Sequence, residues 1–79
     1  MLTKKDVKKM MYDKYLDGTD KIIDIDMWKD LGDDNVWVLV KTKLGVIYFY
    51  DINDYGTEYQ RVYKGIVSLS TIETWKLRY

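Results

Sequence analysis

Hydrophobic positions are densest between Val36 and Ile52, where VWVLVKTKLGVIYFYDI sets two runs of β-branched and aromatic residues on either side of one glycine. Runs of this kind form strands. The connection Lys43-Leu44-Gly45 ends in the residue that enters the left-handed region without steric cost, so the segment reads as a β-hairpin. If Thr42 faces Val46, then Val40 faces Tyr48, Val38 faces Tyr50 and Val36 faces Ile52 on one side. On the other side Lys41, Leu39 and Trp37 face Ile47, Phe49 and Asp51. The first face is apolar almost throughout. The second is apolar only at its centre, where Trp37, Leu39, Ile47 and Phe49 meet.

Ahead of the hairpin the period changes. Thr3 can cap a helix with Asp6 in its first turn, and Val7, Met10, Met11 and Tyr15 recur at helical spacing as far as Asp17-Gly18. Lys4, Lys5, Lys8 and Lys9 occupy its other face, either as a solvated surface or as a grip on phosphates. In KIIDIDMW, Lys21 to Trp28, Ile23, Ile25 and Met27 alternate against Ile22, Asp24, Asp26 and Trp28. That is a strand with one buried face, from which Asp24 and Asp26 point to solvent together. KDLGDDN supplies the next turn, and Asn53-Asp54-Tyr55-Gly56 another.

Thr57 to Val67 reads as a fourth strand, interrupted by Gln60, Arg61 and Lys64 as a sheet edge would be. The tail satisfies two periods. Ser70 with Glu73 is a capping-box pattern for a helix, while Trp75, Leu77 and Tyr79 alternate at strand period. The expectation is a helical turn at Leu69 to Ile72 leading into a final strand, because a strand can add to an existing sheet. The fold expected is α+β: an N-terminal helix packed on a small antiparallel sheet of about five strands, an SH3-like or Sm-like barrel or a meander. The alternative is a four-stranded sheet with a second, C-terminal helix.

Composition sets the scale of the core. A single domain of 79 residues buries only about 60 % of the surface its unfolded chain exposes. Without cysteine, neither a disulfide nor a thiolate metal site can reinforce it, so eight Tyr, three Trp and one Phe must supply the apolar area. No apolar run reaches the roughly 18 residues of a membrane span, and MLTKKDVKKM is too charged for a signal peptide. A cytoplasmic protein away from membranes is expected. The bias toward Ile, Lys, Asp, Asn and Tyr points to an AT-rich genome.

Absence of histidine and cysteine excludes Ser-His and Cys-His pairs and removes the commonest general base, so no catalytic residue, cofactor or metal is expected. Asp24 and Asp26 form a carboxylate pair, but exposed carboxylates have no burial to raise a pKa toward neutrality. Asp51 to Gly56 begins like a calcium loop, with an acid, Asn and Gly at its positions one, three and six. It fails where Tyr55 and Val62 stand in place of ligands.

Net charge is zero, yet its distribution is uneven. Residues 15–35 hold seven Asp against two Lys, while residues 1–14 hold five Lys against two Asp. Three functions fit. A protein-binding module would present Asp24, Asp26, Asp30, Asp33 and Asp34 to a basic surface such as that of a nucleic-acid enzyme. A nucleic-acid-binding domain would stack sheet aromatics on bases and hold phosphates with lysines from the termini, against which net neutrality counts. A structural or homodimeric protein would use Trp37, Leu39, Ile47 and Phe49 as its contact.

No stretch carries a family motif. In size, composition, acidic patch and lack of catalytic residues the chain resembles, in type rather than in sequence, the small phage-encoded inhibitors of host defence nucleases, anti-CRISPR proteins among them. That likeness implies a binding inhibitor whose aspartates imitate phosphates.

Overall fold

The structure, a computed structural model, describes residues 2–16, 18–30, 32, 34–53 and 55–78. The elements run α1 (Lys4–Lys14), β1 (Ile22–Lys29), β2 (Val36–Thr42), β3 (Ile47–Ile52), β4 (Tyr59–Gly65) and α2 (Leu69–Arg78). The strands form one antiparallel sheet in the order β1-β2-β3-β4. This α+β arrangement is the alternative with two helices, and the fifth strand and barrel are replaced by α2.

Thr3 starts α1 through a reciprocal capping box. Its Oγ1 accepts from the Asp6 N–H at 3.2 Å, and Asp6 Oδ2 accepts from the Thr3 N–H at 2.9 Å. The Asp6 carboxyl is held below its ordinary range by that backbone hydrogen bond and by the Thr3 hydroxyl. Val7 and Met11 point into the sheet and are fully buried.

The β2–β3 hairpin has the expected register, Val40 opposite Tyr48, Val38 opposite Tyr50 and Val36 opposite Ile52. Gly45 carries a φ of 84°, and its N–H donates to the Thr42 carbonyl at 2.9 Å. Val38, Val40, Tyr48 and Tyr50 lie beneath α1 at the centre of the first core. Full burial of each such side chain contributes about 1.5–3 kcal/mol. Asp20, itself buried, locks the hairpin tip to the start of β1: its Oδ1 accepts from the Lys21 N–H at 2.8 Å and the Leu44 N–H at 3.2 Å.

Two bulges reset the alternation. The register shifts between Ile22 and Asp24, so Ile22 rather than Ile23 joins the core and Ile23 is 57 % exposed. A second shift in β4 leaves Val62 unpaired, with Tyr63 opposite Phe49 and Arg61 opposite Tyr50. Both bulged strands are sheet edges, where a bulge discourages pairing with another chain.

The tail is helical because the second sheet face needs a cover. A fifth strand would extend an edge and leave Trp37, Leu39, Ile47 and Phe49 in water. As a helix the segment lays Ile72 and Trp75 over them, and Trp75 stacks on Phe49 with centroids 4.7 Å apart and planes 6° from parallel. Its cap is Ser68 rather than Ser70, since Ser68 Oγ accepts from the Thr71 N–H at 3.3 Å. Among the described residues no helix is long and apolar enough to cross a membrane.

Candidate protein-binding surface

Of the expected acidic patch, the described Asp24, Asp26, Asp30 and Asp34 do not gather at one place. Asp24 lies at the end of the sheet near the hairpin tip, with Lys41 as its cross-strand neighbour. It lies six positions before Asp30, about 20 Å along a strand. Asp26 shares a face with Asp24 but points under α2, where it forms an ion pair with Lys76. Asp30 organises the β1–β2 loop: one carboxylate oxygen accepts from the Trp37 indole N–H at 2.9 Å and the other from the Gly32 N–H at 2.8 Å. Asp34 is exposed, and Asp33 lies outside the described residues.

What the fold does bring together is a different set. In an antiparallel sheet the end of β1, the start of β2, the end of β3 and the start of β4 share one edge of the molecule. Asp30 and Asp34 of the β1–β2 loop therefore lie at the same end of the sheet as Asp51 and Glu58, which flank the β3–β4 turn, and Lys29 is at this end too. Asp51 is opposite Trp37, the residue whose indole binds Asp30. A shallow groove of about 230 Å³ opens at this end, lined by Asn35, Asp51, Asn53, Glu58, Tyr59 and Gln60.

Asn53 shapes the groove's rim. Its Oδ1 accepts from the N–H groups of Thr57 and Glu58 at 2.9 and 3.2 Å, and Gly56 takes a φ of 75° to close the turn. The segment resembling a calcium loop is thus an ordinary turn. Among the described residues no acidic cluster is placed to hold a metal ion.

Asp51 and Glu58 escaped the patch drawn from sequence because they are 17 or more positions away from Asp34 along the chain. The signal was nevertheless present, since the hairpin register already sets Asp51 opposite Trp37.

Trp37, Leu39, Ile47 and Phe49, expected as a dimer or partner contact, are interior. None is more than 7 % exposed, and Phe49 is flanked by Trp28, Trp37 and Trp75 at 5.8, 5.1 and 4.7 Å. Their apolar area is satisfied by α2 within one chain.

Tyrosines collect on the α1 side. Tyr15 and Tyr59 approach the buried Tyr50 ring at 5.7 and 6.2 Å. The Tyr59 hydroxyl accepts from Lys14 Nζ at 2.9 Å and from Tyr15, which lowers its pKa, whereas donating to Tyr59 raises that of Tyr15. Burial raises the Tyr50 phenol well above its ordinary range.

Comparison with known protein families, with curated proteins and with solved structures finds no match to this chain.

Proposed function

We propose that this chain is a small non-enzymatic protein-binding module whose acidic sheet end docks on a basic protein surface, in the manner of an inhibitor of a host defence nuclease. The observation that carries the reading is a polar groove lined by Asp51 and Glu58 at the same end of the sheet as the β1–β2 loop, which holds Asp30 and Asp34. Like charges so placed repel one another and lower stability, a cost that contact with cations removes. Asp30 is held rigid by Trp37 and Gly32, so part of the surface is already ordered before binding. With neither histidine nor cysteine, the chain has few means of acid-base or nucleophilic catalysis. Carboxylates presented at this end would take the place of phosphates in a nuclease's nucleic-acid site, and the size and composition of the chain fit a phage-encoded, anti-CRISPR-like role in the cytoplasm.

The test uses purified nucleases, an RNA-guided DNA nuclease first among them, in cleavage assays with and without the full chain. The chain is expected to suppress cleavage. Asp34→Asn with Glu58→Gln, both exposed positions, should slow association and flatten its salt dependence, while Asp24→Asn at the opposite end should not. Cleavage that proceeds unchanged throughout the panel would refute the inhibitor reading. Inhibition that survives the double substitution at every salt concentration would move the contact away from the acidic end.

A further inference from the structure

Zero net charge hides how the fold sorts cations. α1 covers one face of the sheet, and its exposed Lys4, Lys5, Lys8 and Lys9 all lie on that side of the molecule. Its own acids are Asp6, committed to the capping box, and Asp13. The β4 bulge adds two more cations. Arg61 and Lys64 are three residues apart, so in a regular strand they would point to opposite faces. The unpaired Val62 turns both to the α1 side, Arg61 opposite Tyr50 and Lys64 opposite Tyr48. Lys14 reaches the same place from the end of α1, with its Nζ 4.9 Å from the Tyr59 ring centre, and Lys64 Nζ lies 5.5 Å from that of Tyr48. Among the described residues, Lys14, Arg61 and Lys64 make no ion pair.

The tyrosines between these cations are not inert filler. Tyr15 and Tyr59 are half-buried, keeping part of each ring open, and the Tyr50 hydroxyl beneath them is buried without a hydrogen-bond partner among the described residues. A groove of about 220 Å³ continues the surface past Tyr15, Leu16, Tyr48 and Lys64.

We propose that this face binds single-stranded nucleic acid, with Lys14, Arg61 and Lys64 holding phosphates, Tyr15 and Tyr59 offering rings to bases, and the α1 lysines steering the strand in. Cations interleaved with aromatic rings along one surface are what a single strand requires, because every base has a π-face and every link a charge. An acidic protein segment would use the cations but leave the rings without a role. Net neutrality of the chain is no objection, since the phosphates meet this face and not the acidic end. The two surfaces meet at Tyr59, which also lines the groove at the acidic end, but Lys14, Arg61 and Lys64 lie outside that groove, so the Arg61 and Lys64 substitutions test this proposal apart from the acidic end.

Fluorescence anisotropy of the full chain with a labelled oligothymidylate of about 20 nucleotides provides the test. Three neutralised phosphates predict that log K falls against log salt with a slope of about −2, and Arg61→Ala with Lys64→Ala should bring it to about −0.7 with weaker binding. Tyr59→Ala should weaken binding about tenfold or more. Lys76→Ala, on the α2 side, should leave affinity unchanged. Circular dichroism confirms that each exposed-residue variant is folded. Absence of binding at low salt, tighter binding to duplex DNA or to polyglutamate than to the single strand, or an unaltered slope in the double variant would each overturn the proposal.

Discussion

Tyr50 is the largest fully buried side chain of the core, yet its hydroxyl has no hydrogen-bond partner among the described residues. Leaving a buried hydroxyl unsatisfied costs about 1–3 kcal/mol. Tyr50→Phe removes that cost and leaves a void on the order of 10 Å³, worth about 0.2 kcal/mol at roughly 24 cal/mol per Å³. The ring contacts with Tyr15 and Tyr59 survive the change. The variant should therefore be more stable by about 1–2 kcal/mol, raising Tm by about 4–8 °C per kcal/mol in a domain of this size. Urea denaturation followed by tryptophan fluorescence measures it directly, as a higher midpoint at unchanged m. Alkaline pH gives a second readout. Burial raises the folded-state pKa of Tyr50, so its contribution is fully present below the unfolded tyrosine value and is lost as pH rises beyond it. The native chain should weaken above about pH 10, and Tyr50→Phe should resist that loss. A lower urea midpoint for the variant would show that the hydroxyl does have a partner and refute the reasoning.

Trp75→Ala should release α2 from the Phe49 ring at a cost of about 2 kcal/mol, with loss of helical circular dichroism and new binding of a hydrophobic dye to the uncovered face. An unchanged spectrum would mean that Ile72 and the Lys76–Asp26 pair hold the helix without it. Gly45→Ala forces a side chain into a φ of 84° although open space surrounds it, so it should cost about 1–2 kcal/mol in chemical denaturation. Gly18→Ala meets equally open space without a positive φ and should be neutral or stabilising by up to about 1 kcal/mol, which isolates the conformational term.

The hairpin was legible from residue types alone. Alternation sorts side chains to two faces, and a three-residue loop ending in Gly45 admits one register, so Val38 opposite Tyr50 followed from local chemistry. Thr3 and Asp6 announced α1 for the same reason, since a cap involves only neighbours in sequence. The tail was not legible, because its last ten residues satisfy helical and strand periods at once. What settled it was the bare Trp37, Leu39, Ile47 and Phe49 face, which only a helix crossing the sheet covers. Nor do bulges leave a mark in the pattern. The one at Ile22 and Asp24 exchanged a core isoleucine for an exposed one, and the one at Val62 put Arg61 and Lys64 on the same side.

The charges show the division most clearly. Local sequence counted aspartates between residues 15 and 35 as one patch, but an extended strand carries Asp24 far from Asp30, and α2 supplies Lys76 to Asp26. Sequence by itself determined the helix cap and the hairpin register, which depend on residue type and near neighbours. Tertiary structure alone decided which charges meet, because strand ends distant in sequence are adjacent in space, joining Asp51 and Glu58 to the β1–β2 loop and Lys14 to Arg61 and Lys64.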